Sequence, residues 1–165
     1  MIIHKNPYFS VRLKDDYYSI NFSTEQVLIL PIVDNNILFI KSIRPVFDET
    51  VIELPAGNVD PKETNSQAAL RELSEETGIK ITDTKRLKEL PSLNTIPSRT
   101  AQMLKIYQVN ITKDEYNNRK KHDDEVAGLL LLSNREVISN IQEGKIIVAT
   151  VVAVCLRYLL KKIII

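Results

Sequence analysis

Two β-branched, apolar runs, residues 27–33 and 37–43, flank the polar triplet Asp34-Asn35-Asn36 and predict a β-hairpin. A shorter run at 51–54 is stopped by Pro55-Ala56-Gly57; residues 103–111 alternate apolar and polar as a half-buried strand does, and 126–132 read as a further strand. Residues 17–22 predict one more short strand, in an N-terminal piece set off by Asn21-Phe22-Ser23-Thr24. A helix is expected to start at Thr64, with Gln67 completing a capping box, and to end at Gly78. A second begins at Ser133 with Glu136 as its box partner and stops at Gly144, and a third spans about 148–162. Strands mixed with a few helices, without regular alternation, predict a mixed α/β sandwich.

Composition narrows the function. With 165 residues, 44% hydrophobic and 26% charged, the chain has enough apolar material for a core and the size of one compact domain with a small appendage. Its 22 basic and 21 acidic side chains leave a net charge of +1, so no global field draws nucleic acid or an anionic membrane, and neither partner is expected. The single cysteine, Cys155, excludes an internal disulfide framework and, within the apolar run 151–156, reads as a buried, inert thiol. The first ten residues lack an apolar signal core, and Arg157, Lys161 and Lys162 cut the run 146–165 below the ~20 residues that a spanning helix needs. A cytoplasmic location is the expectation.

The chemistry concentrates between Gly57 and Ile79. On the Thr64 helix, Glu72 and Glu76 share a face with Glu75 close by, while Ala69, Leu70, Leu73 and Thr77 form the opposite, sheet-facing side. Like charges at three- and four-residue offsets repel by a few tenths of a kcal/mol per pair, and they crowd the C-terminal half of the helix, where its dipole disfavours anions. Arg71 relieves part of this. A divalent cation would turn the repulsion into attraction, and magnesium favours carboxylate oxygens completed by water and substrate phosphate. Glutamate pairs on helices also form ordinary solvated faces, so the triplet alone leaves both readings open.

The wider spacing is more specific. Gly57, Glu63, Arg71-Glu72-Leu73, Glu75-Glu76 and Gly78-Ile79 fall in the order G-x5-E-x7-R-E-U-x-E-E-x-G-U, with U apolar. At average residue frequencies this pattern arises by chance in such a chain on the order of once per million. The sequence therefore resembles the Nudix hydrolases. The resemblance implies a Nudix-like α/β/α sandwich around a mixed β-sheet, with residues 1–25 an N-terminal strand extension and 26–165 the Nudix domain. It further implies metal ligation by Glu72, Glu75 and Glu76 with the backbone carbonyl of Ala56, Mg²⁺ as cofactor with Mn²⁺ as a substitute, and a bracing role for Gly57, Glu63, Arg71 and Gly78. The reaction implied is attack of water on one phosphorus of a P–O–P linkage. The general base stays open among Glu125, Asp124, Glu75 and Glu76; His4 and His122 have no metal-spaced partner.

Within the family, Glu53-Leu54-Pro55-Ala56-Gly57 looks like the run that introduces the box in ADP-ribose pyrophosphatases. Pro97-Ser98-Arg99-Thr100 looks like that branch's Pro-Gly-Arg-Thr loop, with Ser98 in place of the glycine and a stretched spacing from the box. Arg44 and Arg99 are thus candidate substrate ligands, since guanidinium forks suit phosphates. The implied substrate is a small nucleoside diphosphate derivative, ADP-ribose or a nucleotide sugar, and the implied assembly a homodimer through the N-terminal strands. Two alternatives remain: a nucleoside triphosphate or dinucleoside polyphosphate hydrolase, and a non-catalytic nucleotide-sensing domain.

Overall fold

The computed structural model describes residues 1–163, with side chains as far as Lys161. The continuous apolar run at 27–33 becomes β4 (Gln26–Val33), buried from Val27 onward, as a strand must be when both faces of its sheet are covered. It turns into β5 (Asn36–Arg44) through Asp34 and Asn35, whose φ values of 51° and 67° give the left-handed pair that a two-residue hairpin requires. The expected hairpin is present, with Asn36 already in the strand.

β4 and β5 pair only at Ile32–Ile37 and Val33–Asn36 before they part. Into the gap come β6 (Glu49–Glu53), laid on β5, and β7 (Ala56–Asn58), laid on the start of β4. Pro55, between them, accepts from the Ile29 N–H at 2.8 Å. On its other edge β4 runs parallel to β9 (Met103–Ile111), which pairs antiparallel with β8 (Lys88–Asn94); β10 (Val126–Leu132) closes the far side against β5. The result is a mixed seven-stranded sheet of order β10-β5-β4-β9-β8, with β6 and β7 filling the seam.

Helix α1 (Asn65–Thr77) covers one face. Its N-cap is Thr64, the reciprocal bonds with Gln67 form, and Gly78 ends it at φ 72°. Ala68, Ala69, Leu70, Leu73 and Thr77 point inward and pack with Val27, Ile29, Leu38, Tyr107 and Val109. A short helix, α2 (Lys113–Asn117), follows β9. On the opposite face, α3 (Asn134–Gln142) and α4 (Ala149–Ile163) pack Val137, Val151, Val154, Cys155 and Leu159 against Leu28, Leu30, Ile37 and Phe39. This is the expected α/β/α sandwich. Burial pushes the Cys155 thiol up to about 12, consistent with an inert packing role. Among the described residues, no helix is long and apolar enough to cross a membrane; residues 164–165 of the apolar tail lie outside that description.

The N-terminal piece contains more than the one strand expected. β1 (Ile2–Lys5), β2 (Phe9–Lys14) and β3 (Tyr17–Phe22) form a separate antiparallel sheet, with β2 and β3 turned by Asp15 and Asp16 in left-handed conformation. It is joined to the rest by the Ile20 N–H on the Arg99 carbonyl, at 2.7 Å, and by the Tyr17 hydroxyl on the Ser98 carbonyl.

Leu73 is fully buried, so Leu73→Ala is expected to lose about 2–5 kcal/mol in urea unfolding; wild-type stability would disprove this inner face. A Cβ at Gly78 would lie 2.0 Å from the Lys120 carbonyl oxygen on a backbone with φ 72°. Gly78→Ala should therefore lose more than about 1 kcal/mol in the same assay.

Candidate active site

The carboxylates of α1 reach the seam where β4 and β5 part. A cavity of about 570 Å³ opens there, lined by Glu72 and Glu76 from α1, Arg44 and Glu53 from β5 and β6, Ala56 and Gly57 from β7, and Glu125 before β10. Leu104, Val148 and Val151 give it an apolar wall on the α4 side. This volume lies within the usual range for small-ligand sites, ~300–1,000 Å³.

Arg71 organises the α1 side. Its Nη1 donates to Glu72 at 2.8 Å and Glu75 at 2.9 Å; its Nη2 donates to Glu63 at 2.7 Å and to the Asn58 carbonyl at 2.8 Å. Glu63 also accepts from Arg71 Nε at 3.2 Å and from the Asp60 N–H at 2.9 Å, and the guanidinium holds its carboxyl below the usual range. The loop carrying Glu63 is thereby tied to the helix, and Arg71 itself is pushed up, first by Glu63.

Glu72 and Glu76 are less comfortable. Burial pushes the Glu72 carboxyl up, against the pull of Arg71. Glu76 is pushed up to about 8 by burial, reinforced by Glu72 and Glu53 and opposed by the Ala56 N–H, which donates to it at 2.8 Å, and by Arg44. Two carboxylates that burial drives toward protonation stand where a cation would relieve them. The fit extends to Gly57: a Cβ there would lie 1.9 Å from the Glu72 carboxylate, so the missing side chain makes room for it. The cavity lining offers five carboxylates and no imidazole or thiol, a donor set for a hard divalent ion.

The sequence-derived candidates do not all converge. Among the described residues, no three carboxylate, imidazole or thiol groups form a ready-made metal cage. Glu75, expected as a ligand, is outside the cavity lining with its carboxylate on Arg71, 43% exposed. Arg71 reaches it because Glu75 lies one helical turn further on the same face. Ala56, expected to contribute its carbonyl, donates its N–H to Glu76. Of the two candidate bases in the β10 loop, Glu125 lines the cavity, whereas Asp124 is ion-paired with Lys121 at 2.8 Å. Arg44 is in the cavity wall. Arg99 is not: it packs over the Tyr17 ring at 5.5 Å, held beside the N-terminal sheet. Glu53, Asp60, Asn58 and the first turn of α4 line the cavity without having been singled out; only Glu53, in its Glu-Leu-Pro-Ala-Gly run, carried a signal that could have found it.

A NUDIX domain model matches residues 23–150. The chain belongs to the Nudix family. The matched segment starts just after the N-terminal sheet and includes the whole carboxylate helix. This Nudix chain is 29% identical over 68% of its length to the methanol dehydrogenase activator of Bacillus methanolicus, covering 60% of that protein. It is 24% identical over 73% of its length to the ADP-ribose pyrophosphatase of Bacillus subtilis strain 168, covering 64% of it. It thus spans somewhat under two thirds of either relative. A shorter match, 35% identical over 35% of the chain and 29% of the relative, is to the ADP-sugar pyrophosphatase of Mus musculus. In three dimensions, the crystal structure of an ADP compounds hydrolase superposes with a TM-score of 0.72 at 19% identity, covering 98% of this chain and 89% of that one, which establishes the common Nudix fold.

Two outcomes follow from this geometry. Gly57→Ala meets the far end of a flexible side chain and not backbone; it should leave the melting temperature nearly unchanged while displacing Glu72, so that stabilisation by added Mg²⁺ is lost. The second concerns pH. Folded Glu76 keeps its proton up to about 8, whereas the unfolded carboxyl releases it near 4.5. Without divalent ions, wild-type stability should therefore fall as pH rises from 5 to 8, with Glu76→Gln losing less over the same window. Parallel melting curves in chelator whose pH dependences coincide for the two proteins would overturn the assignment of this pH dependence to Glu76.

Proposed function

We propose that this Nudix chain is a divalent-cation-dependent pyrophosphohydrolase that cleaves ADP-ribose or a related nucleotide sugar to a nucleoside monophosphate and a sugar phosphate. The observation that carries the reading is the half-buried pair Glu72 and Glu76 in one cavity wall with Arg44 in another. Anionic groups and a guanidinium on the sides of one cavity suit a diphosphate bridged through a cation, and they have no evident use in a purely architectural helix. The names of the Bacillus subtilis and Mus musculus relatives support the substrate class.

In this reading Glu72, Glu76 and the Ala56 carbonyl would hold Mg²⁺, with Glu75, now bonded to Arg71, as a further candidate ligand. The bound ion supplies electrophilic polarisation of the phosphoryl oxygens and a lowered pKa for water. Arg44 binds and orients the diphosphate. Glu125 takes the proton from the attacking water as its oxygen bonds to phosphorus and the bridging P–O bond breaks; the leaving phosphate departs with the bridging oxygen. Leu104, Val148 and Val151 limit bulk water at the reacting centre. The N-terminal sheet, with Ile2, Ile3, Tyr8, Tyr17 and Tyr18 exposed, is the surface we assign to a second copy of the chain.

A substrate panel at fixed Mg²⁺, read by product chromatography, tests the reading. ADP-ribose should yield AMP and ribose 5-phosphate, and Glu76→Gln should lower kcat by at least ~10²-fold, as expected when a group acting on the transition state is removed. Release of pyrophosphate from nucleoside triphosphates, with ADP-ribose untouched, would move the chain to the triphosphatase branch. Full Mg²⁺-dependent activity in Glu76→Gln would overturn the assignment of metal binding.

A further inference from the structure

Arg44 ends β5 and Glu49 begins β6, and the ladder sets the two directly opposite each other. Oppositely charged residues so placed normally pair. Arg44 does not take this partner. It donates from Nε and Nη2 to Glu53, at 3.2 and 2.6 Å. Glu53 stands opposite Ile40, four residues back along β5, so the guanidinium returns along the strand past the Ser42–Val51 pair to reach it. Arg44, Ser42 and Ile40 share one face, because side chains alternate along a strand. The residue passed over on β5 is a serine, buried and small enough to leave that route open.

The detour changes where the charge sits. Paired with Glu49, which does not line the cavity, the cation would lie toward solvent; paired with Glu53, it is in the cavity wall with Glu72, Glu76 and Glu125. Glu53 is 15% exposed against 42% for Arg44, so the carboxylate is the anchored partner and the guanidinium the presented one. An unanchored Arg44 among the other cavity carboxylates would be drawn onto Glu76 or Glu125, both near enough to act on its charge, and would compete there with a metal ion.

We infer that Glu53 is a positioning residue for Arg44: it grips the Nε–Nη2 edge, keeps the guanidinium off Glu76 and Glu125, and leaves the Nη1 donors for the substrate diphosphate. The inference rests on the proposed role of Arg44 as a diphosphate ligand. A side-on carboxylate fork fixes the plane of a guanidinium as well as its position, so the effect of Glu53 falls on substrate binding and is expressed only through Arg44.

Steady-state kinetics on ADP-ribose with Mg²⁺ test this through wild type, Arg44→Ala, Glu53→Gln and the double variant. Glu53→Gln is expected to raise KM about tenfold, the scale of one charge-assisted hydrogen bond, with kcat changed less than about twofold, and the double variant should be no worse than Arg44→Ala alone. Glu53→Asp, one methylene shorter, should give an intermediate KM and decides the matter if Glu53→Gln does not fold. If Arg44→Ala raises KM while Glu53→Gln leaves it unchanged, or if the two effects multiply in the double variant, the positioning role is wrong and the proposed function stands. A fall in kcat at constant KM for Glu53→Gln would likewise overturn it. An unchanged KM in Arg44→Ala, or no turnover by wild type, removes the underlying reading and this inference with it.

Discussion

The guanidinium of Arg71 folds the loop of Asn58 and Glu63 back onto the helix of Glu72 and Glu75 that follows it, and it bonds to all four residues. Three glutamates around one arginine leave a surplus of negative charge that the protein does not cancel internally. Single half-exposed ion pairs contribute little to stability. Here their importance is geometric: the network fixes which carboxylates stay with the arginine and which, Glu76 above all, are left in the cavity. That surplus is the feature on which the proposed divalent-ion role rests.

The sheet supplies the other half of the arrangement. Because β4 and β5 share only two residue pairs, the chain from Glu53 to Asn58 runs through the seam and delivers Glu53, Ala56 and Gly57 to the same cavity as the helix. Gly57 then leaves space for the Glu72 carboxylate. The cavity is thus a property of the split in the sheet, and α1 is aligned with it by its inner face of Ala68, Ala69, Leu70, Leu73 and Thr77.

Local signals carried much of this. The caps of α1 are self-contained within a few residues, and the Asp34-Asn35 turn marks its own hairpin, so both were legible. β8 was not: Pro91 interrupts it, its register shifts between Leu90 and Leu93, and it lies at the sheet edge where such defects are tolerated. β1 is short and wholly exposed and carries no burial signal, whereas β2 has a legible one in the alternation of half-buried Phe9, Val11 and Leu13. Helix α2 had a readable capping box in Thr112 and Glu115 that was passed over. At the site, box spacing singled out Glu72 and Glu76 and the family resemblance Arg44, all three of which line the cavity, but neither could show that Arg71 would engage Glu75 or that the Arg99 loop would be held against Tyr17, since both depend on rotamers and distant contacts. Nor could it show Arg44 passing over Glu49, its neighbour by register.

The parallel pairing of β4 with β9 also bears on the order in which the protein is made. The carboxylate helix lies in sequence between these two strands, yet its apolar side rests on residues of both, including Tyr107 and Val109. A chain emerging from the ribosome exposes Glu72 and Glu76 long before the strand that completes their seat has been synthesised. Until β9 arrives those glutamates remain solvated, so the partly buried setting that sets them apart is acquired late in biosynthesis, at the step when the middle of the chain is closed over by its later part.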